Sequence, residues 1–186
     1  MESPSPSVAD RPVDTIVTDR FVLRGLQKSD AAALFATLSD EQSCRYLSRP
    51  PFQSEAELWD WLSDPRWPGR TWIAETGEGE VAGRFVAVPT DDPTIEEIGF
   101  ITTKGFRGKG VARECVSYLI GYLFDEDQKD AVVATVDTEN RASISLLENL
   151  RFDRRALAQD TEMTHAGLRS LIGYELVAAT TLPSHA

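Results

Sequence analysis

Residues 96–116 read EEIGFITTKGFRGKGVARECV, and across a short glycine-rich turn the hydrophobic period changes from two to about 3.6. The first part predicts a strand. From there Val111, Ala112, Cys115, Val116, Leu119, Ile120 and Leu123 form one apolar stripe, so a helix is predicted over 109–124. A strand that turns directly into a helix brings unpaired N–H groups and the positive end of the helix dipole to one spot, which suits a phosphate. Gly108 and Gly110 allow close backbone approach, Ala112 keeps the first turn narrow, and Arg107 and Lys109 add charge. The spacing by itself fits equally well a strand-to-helix turn that uses glycine for geometry alone. It is neither G-x-G-x-x-G nor G-x-x-x-x-G-K-[ST], which removes support from dinucleotide and P-loop readings.

Upstream lie RTWIAET (70–76) and EVAGRFVAVP (80–89), and with TIEEIGFITT (94–103) they make three strand-like runs. Turns at Gly77 and Gly79 and at Asp91, Asp92 and Pro93 separate them, which predicts an antiparallel meander. Further upstream, TDRFVLRGL predicts a strand, and Ser29 or Asp30 caps a helix with Ala31, Leu34, Phe35 and Leu38 on one face. DEQSCRYLSRPPFQS, broken by Pro50 and Pro51, has the composition of a lid, and a short helix with Leu58, Trp61 and Leu62 on one side follows it. Downstream, AVVATV is a continuous β-branched run and predicts a buried strand. Asn140 then caps a helix carrying Ile144, Leu147 and Leu150, and two strands near 152–159 and 168–178 end the fold. The order is β-α-α-β-β-β-α-β-α-β-β without internal repeats. It predicts an α/β (α+β) domain with a mixed, mostly antiparallel sheet of about seven strands and about four helices.

With 186 residues and 41% hydrophobic content, the chain fits one soluble domain over 15–179. A disordered arm over 1–14 and a flexible tail over 180–186 flank it. Cys44 and Cys115 read as free thiols; with only His165 and His185 beside them they make neither a disulfide framework nor a metal site. The formal charge of -11 opposes a phosphate backbone and disfavours nucleic acid; it either supports solubility or favours a cationic amine. MESPSPSVADRPVD has no basic and apolar leader, and no later run approaches 18 apolar residues, which predicts a cytoplasmic protein with no membrane partner.

Arg107, Gly110 and Ala112 match the signature Arg/Gln-x-x-Gly-x-Gly/Ala, and here the sequence resembles the GNAT superfamily of acetyl-CoA dependent N-acetyltransferases. The EIGF strand, the TENRASISLLENLRF block and the β/α order are similar to the branch containing the ribosomal-protein N-terminal acetyltransferases, the RimJ/RimL type. The resemblance implies that coenzyme pyrophosphate sits on the N–H groups of Arg107, Gly108, Lys109, Gly110, Val111 and Ala112, with the pantetheine arm beside Ile101 and Thr102. It also implies a sheet splayed between its fourth and fifth strands, the slot for the thioester, with a backbone N–H near Thr102 polarising the carbonyl. Asn140 and Ser143 fall where the family's Asn and a small residue face that arm, although both also suit a local helix-start role. The tyrosine acid that many relatives carry seven residues after this Asn is Leu147 here, which leaves Ser143 to protonate the leaving thiolate. Arg151 replaces the glycine of the usual Gly-Phe ending.

Attack by an amine needs a proton acceptor at neutral pH, because an alkyl ammonium titrates near 10. Glu96 and Glu97 open the central strand on opposite faces; Glu97 shares its face with Gly99 and Ile101, where family members often place an acid, and is the expected base. A solvated strand-end carboxylate is the alternative. Trp59, Trp61, Trp67 and Trp72, with Phe52 and Tyr46, either pack the core or line the acceptor wall. The expected function is transfer of acetyl from acetyl-CoA to a primary amine, at a protein N-terminus or on a small molecule. The rival readings are a coenzyme-binding module without turnover and an unrelated phosphate-binding α/β domain. Relatives imply a possible homodimer through the final strands.

Overall fold

The structure, a computed structural model, describes residues 12–179. Its elements run β1 (Ile16–Val17), β2 (Phe21–Gly25), α1 (Asp30–Leu38), α2 (Glu41–Cys44), α3 (Glu55–Leu62), β3 (Arg70–Thr76), β4 (Val81–Pro89) and β5 (Ile95–Thr102). After a single 3-10 turn at Lys104–Phe106 come α4 (Val111–Asp125), β6 (Ala131–Asp137), α5 (Arg141–Asn149), β7 (Asp153–Arg155), β8 (Thr161–Thr164) and β9 (Gly167–Val177). One sheet runs β1-β2-β3-β4-β5-β6-β9-β7, with β8 paired to β9. Every pairing is antiparallel except β5 with β6. The parallel pair needs a crossover, and α4 supplies it.

Helices cover both faces of the sheet. Trp72 of β3, Phe85 of β4 and Ile98 of β5 meet the α4 stripe of Val111, Cys115, Val116, Leu119 and Leu123 in the larger core. On the other face Leu34 and Leu38 of α1 and Leu58 and Leu62 of α3 pack over Ile73. The mostly antiparallel mixed sheet is the expected one, with nine strands and five α-helices among the described residues against the expected seven and four. The extra elements are too short to show a period: β1 has two residues, α2 has four, and the last region divides into β7, β8 and β9. Trp61, expected on one side of its helix with Leu58 and Leu62, is 39% exposed and packs against Phe52 with tilted rings, centroids 5.3 Å apart.

The expected arm over 1–14 lies outside the described residues up to position 11, and so does the expected tail over 180–186. Of the rest of that arm, Val13 packs against the larger core, the Asp14 carbonyl accepts from Trp72 Nε1 at 2.9 Å, and the Asp14 carboxylate accepts from the Tyr122 hydroxyl at 2.9 Å. No helix among the described residues is long and apolar enough to cross a membrane.

What positions the site is a failure of pairing. β5 and β6 pair only at Ile95 with Ala131, Glu96 with Val132 and Glu97 with Val133. Beyond Glu97, β5 stays bonded to β4 as far as Thr102, and β6 to β9 as far as Asp137. Two strands that should be neighbours thus diverge, and each leaves a backbone edge unpaired toward the gap.

Candidate functional site

A cleft of about 640 Å³ occupies this gap, between the parted strands and the start of α4. Asp40, Ser54 and Asn140 close α2, α3 and α5 by accepting a hydrogen bond from a first-turn N–H. The 15-residue α4 has no side-chain cap. Among the described residues no protein group accepts from the N–H groups of 108–113, while Glu114 begins the internal ladder by donating to the Gly110 carbonyl at 3.1 Å. A helix end left uncapped beside a cleft has the unpaired N–H groups and the dipole sign that suit an anion. Gly108 at φ +72° and Gly110 at φ +78° are both left-handed, a conformation that is cheap only for glycine. An added Cβ at Gly108 would meet nothing within 4 Å, so that glycine is needed for its backbone angle and not for room.

The cleft brings together most of the expected coenzyme residues: Ile101 and Thr102 on β5, Arg107, Gly108, Gly110, Val111 and Ala112 on the loop and α4, and Asn140 and Ser143 at α5. Lys109 is the exception: it does not line the cleft, and its ammonium lies 5.2 Å from the ring centroid of Phe106, which does. The Arg107 guanidinium donates to the Thr102 carbonyl at 3.4 Å, tying the loop to the strand beside it. Asn140 serves two ends: its Oδ1 accepts from the Ser143 N–H at 3.2 Å, and its side lines the cleft. On α5, Leu147 is fully buried in the larger core and Leu146 faces the cleft.

Glu96 and Glu97 take opposite faces, as the strand period requires. Glu96 is buried on the α4 side, with Arg70 at 3.3 Å and Lys129 at 3.2 Å. Glu97 is half-buried on the other side but does not line the cleft. It lines an adjoining hollow of about 340 Å³ with Asp91, Asp92, Arg155 and Leu157. The two cavities meet at Ala134 and Thr135, which line both. Of the aromatic group, Trp72 is core, Trp61 and Trp67 flank the Arg84 guanidinium at 4.9 and 5.2 Å, and only Tyr46 reaches the cleft. Among the described residues Arg84 has no carboxylate partner; burial pulls its guanidinium down to about 10.

Sequence reading did not single out Asp137, Glu139 or Arg169 beside the cleft. Asp137, buried at the end of β6, accepts from Arg169 Nε at 2.5 Å and from the Glu139 N–H at 2.7 Å. Glu139 pairs with Arg169 at 2.9 Å and Arg45 at 3.0 Å, and its carbonyl accepts from the Tyr46 hydroxyl at 3.2 Å. Arg169, and after it Arg45, hold the Glu139 carboxyl below its usual range. These bonds tie the segment after α2, the end of β6 and the β8–β9 hairpin together beside the cleft, which Tyr46 and Asp137 line. A signal existed: carboxylates at the C-terminal end of a strand with a parallel neighbour stand where α/β sheets bind ligands.

On the first helices' side, the Lys104 ammonium reaches Asp40 at 2.8 Å, and its N–H donates to Thr37 Oγ1 at 3.1 Å. Lys104, with Ser43 adding to it, pulls the Asp40 carboxyl down to about 2.

Residues 20–153 match the family described as acetyltransferase (GNAT) domain. An uncharacterized N-acetyltransferase p20 of Bacillus licheniformis is 28% identical over 173 residues, 89% of this chain and 97% of its own length. YkkB, an uncharacterized protein of Bacillus subtilis strain 168, is 31% identical over 142 residues, 73% and 83% of the two chains. Among solved structures, a GNAT-family acetyltransferase from Bacillus anthracis superposes with a TM-score of 0.79 at 19% identity, covering 88% of this chain and 98% of its own. A spermidine N-acetyltransferase from Vibrio cholerae, solved with CoA and spermine, has a TM-score of 0.73 at 17% identity, with 85% and 95% covered. A ribosomal L7/L12 alpha-N-protein acetyltransferase solved with coenzyme A has 0.75 at 16% identity, with 88% and 98% covered.

Proposed function

The chain belongs to the GNAT acetyltransferase family, and from that premise we propose that it transfers acetyl from acetyl-CoA to a primary amine, at a protein N-terminus or on a small molecule, by direct attack in a ternary complex. The observation that carries this is the uncapped α4 start opening into the cleft between β5 and β6. The residues present fit the coenzyme. The free N–H groups of 108–113 suit a pyrophosphate, and the unpaired edge of β5 between Ile98 and Thr102 offers backbone groups to an amide-bearing arm, as an edge strand offers them to another strand. When bound, acetyl-CoA supplies an acyl group already activated as a thioester.

The chain's own residues then have distinct tasks. A backbone N–H near Thr102 stabilises negative charge on the carbonyl oxygen. Asn140 and Ser143 hold the arm from the α5 side, and the Ser143 hydroxyl donates a proton to the departing sulfur. Glu97 accepts the ammonium proton through water, since its carboxylate stands in the hollow that joins the cleft at Thr135. Tyr46 and the Asp137–Arg169–Glu139 wall bound the acceptor's approach. Support for the Rim-type branch comes from the DTEN segment that ends β6 and caps α5, and from the ribosomal-protein acetyltransferase among the fold neighbours.

A second reading, a coenzyme-binding module of the same fold with little turnover, is favoured by Leu147, which is buried in the core, and by Glu97 standing outside the cleft. Incubation with acetyl-CoA and a panel of amines and peptide N-termini, with free CoA thiol as the readout, separates the two. The proposal expects amine-dependent release of CoA. Saturable coenzyme binding without acylation or slow thioester hydrolysis would support the module instead.

A further inference from the structure

Thr18, Arg20 and Glu114 form a contact that the reading above leaves without a task. Arg20 lies in the tight turn between β1 and β2, where the Thr18 N–H donates to the Phe21 carbonyl at 2.9 Å. It meets a loop 89 positions later in the chain. Its Nε donates to Glu114 Oε2 at 2.6 Å, its backbone N–H to Glu114 Oε1 at 2.8 Å, and its Nη1 to the Lys109 carbonyl at 3.1 Å. Nη2 stands 3.4 Å from the place a Cβ on Gly110 would take. Thr18 Oγ1 adds a fourth bond, to Glu114 Oε1 at 2.7 Å. The Arg20 side chain is half exposed, but Glu114 in the first turn of α4 is 12% exposed and has every donor it needs. Burial pulls its carboxyl upward, yet the bonds from Thr18 and Arg20 outweigh that and hold it below its usual range.

We propose that Arg20 is a positioning residue for the coenzyme loop, holding the Lys109–Gly110 peptide in the orientation that receives pyrophosphate. The argument is covalent geometry. A trans peptide is planar, with its C=O and N–H pointing opposite ways, so a bond that fixes the Lys109 carbonyl also fixes the direction of the Gly110 N–H. That N–H belongs to the first residue of the uncapped helix end. Gly110 sits at φ +78°, where an unrestrained loop has many alternatives, and a loop ordered beforehand avoids an entropy cost on binding. Two bonds at fixed spacing, one to a carboxylate on the helix and one to a carbonyl on the loop, require a planar fork, which arginine has and lysine lacks. The Arg20 charge is balanced by Glu114, so its contribution is orientation more than attraction.

This rests on the coenzyme reading, and the experiment tells the two failures apart. CoA is titrated calorimetrically into the parent protein, Arg20→Ala and Arg20→Lys, and rates are measured with acetyl-CoA and with S-acetylpantetheine, which lacks the pyrophosphate. Arg20→Ala is expected to weaken CoA at least tenfold and to leave kcat at saturating acetyl-CoA within about twofold. The KM for S-acetylpantetheine should stay the same, because the orientation of the loop no longer matters to it. Arg20→Lys should lose most of the same affinity despite keeping the charge, and it reads the proposal should Arg20→Ala fail to fold. Parent-like affinity in the variants, or an equal loss for both thioesters, would overturn the inference and leave the coenzyme site standing. A parent protein that does not bind CoA would overturn the coenzyme reading and this inference with it.

Discussion

Glu97 looks into a hollow that touches the cleft only at Ala134 and Thr135, so a water between carboxylate and amine is part of its proposed role as base. Glu97→Gln keeps size and polarity and loses the base, and kcat at neutral pH is expected to fall roughly 10²- to 10⁴-fold with coenzyme affinity little changed. The loss should shrink as pH rises, since an amine that titrates near 10 then arrives already neutral. A loss that stays constant across pH would contradict the assignment. Glu96 has the opposite surroundings, buried with Arg70 and Lys129 on its Oε1 while Oε2 finds no hydrogen-bond partner among the described residues. Glu96→Gln leaves those two cations short of charge. It is expected to cost about 2 kcal/mol in urea unfolding, with kcat unaffected; an unchanged midpoint or a slowed reaction would contradict this. The strand period alone separates these two roles, because successive side chains must alternate. Whether Glu97 reaches the cleft was not legible. It depends on where β5 and β6 part, which pairing with β4 and β9 decides far from either residue.

At the scale of elements, α4 and the β3–β4–β5 meander could be read because each is long enough to complete several periods and is bounded by glycine or Asp-Pro turns. After α5 the strands expected near 152–159 and 168–178 are present as β7 and β9, and only the short β8 between them was not read. Asp153–Arg155 is exposed throughout, Thr161–Thr164 carries one large apolar residue, and the β8–β9 turn uses Gly167 at φ +99° in a segment without a strong hydrophobic rhythm. The glycine turn into α4 was legible as local geometry, but the bond that Arg20 makes to it was not, since no local pattern links a residue in the first turn to a carbonyl 89 positions on. Gly110→Val tests the element. A β-branched side chain at φ +78° is strained and meets the Arg20 guanidinium, so the variant is expected to fold with a loss of about 2 kcal/mol and to bind no CoA. Loss of the native circular dichroism spectrum would instead make Gly110 a structural glycine.

For the molecule as a whole, one physical arrangement underlies both fold and activity: a continuous sheet that comes unpaired over half of one strand, with a crossover helix starting at the gap. Against the net charge of -11, Arg107, Lys109 and Arg113 around the α4 start are a local cluster of positive charge, which suits the polyanion of the proposed coenzyme site. The acceptor was not legible: Tyr46 was singled out for its wall, but Asp137, Glu139 and Arg169, proposed to bound its approach with Tyr46, come from separated segments that only the folded sheet unites. The central claim, a coenzyme site at the start of α4, is tested most directly by thermal unfolding in increasing CoA. At 100 times the dissociation constant a ligand adds about 2.7 kcal/mol, which for a domain of this size raises the melting temperature by roughly 5–10 °C. The account predicts a saturable rise of that order in the parent protein and none in Gly110→Val. No rise at millimolar CoA, or the same rise in both proteins, would contradict it.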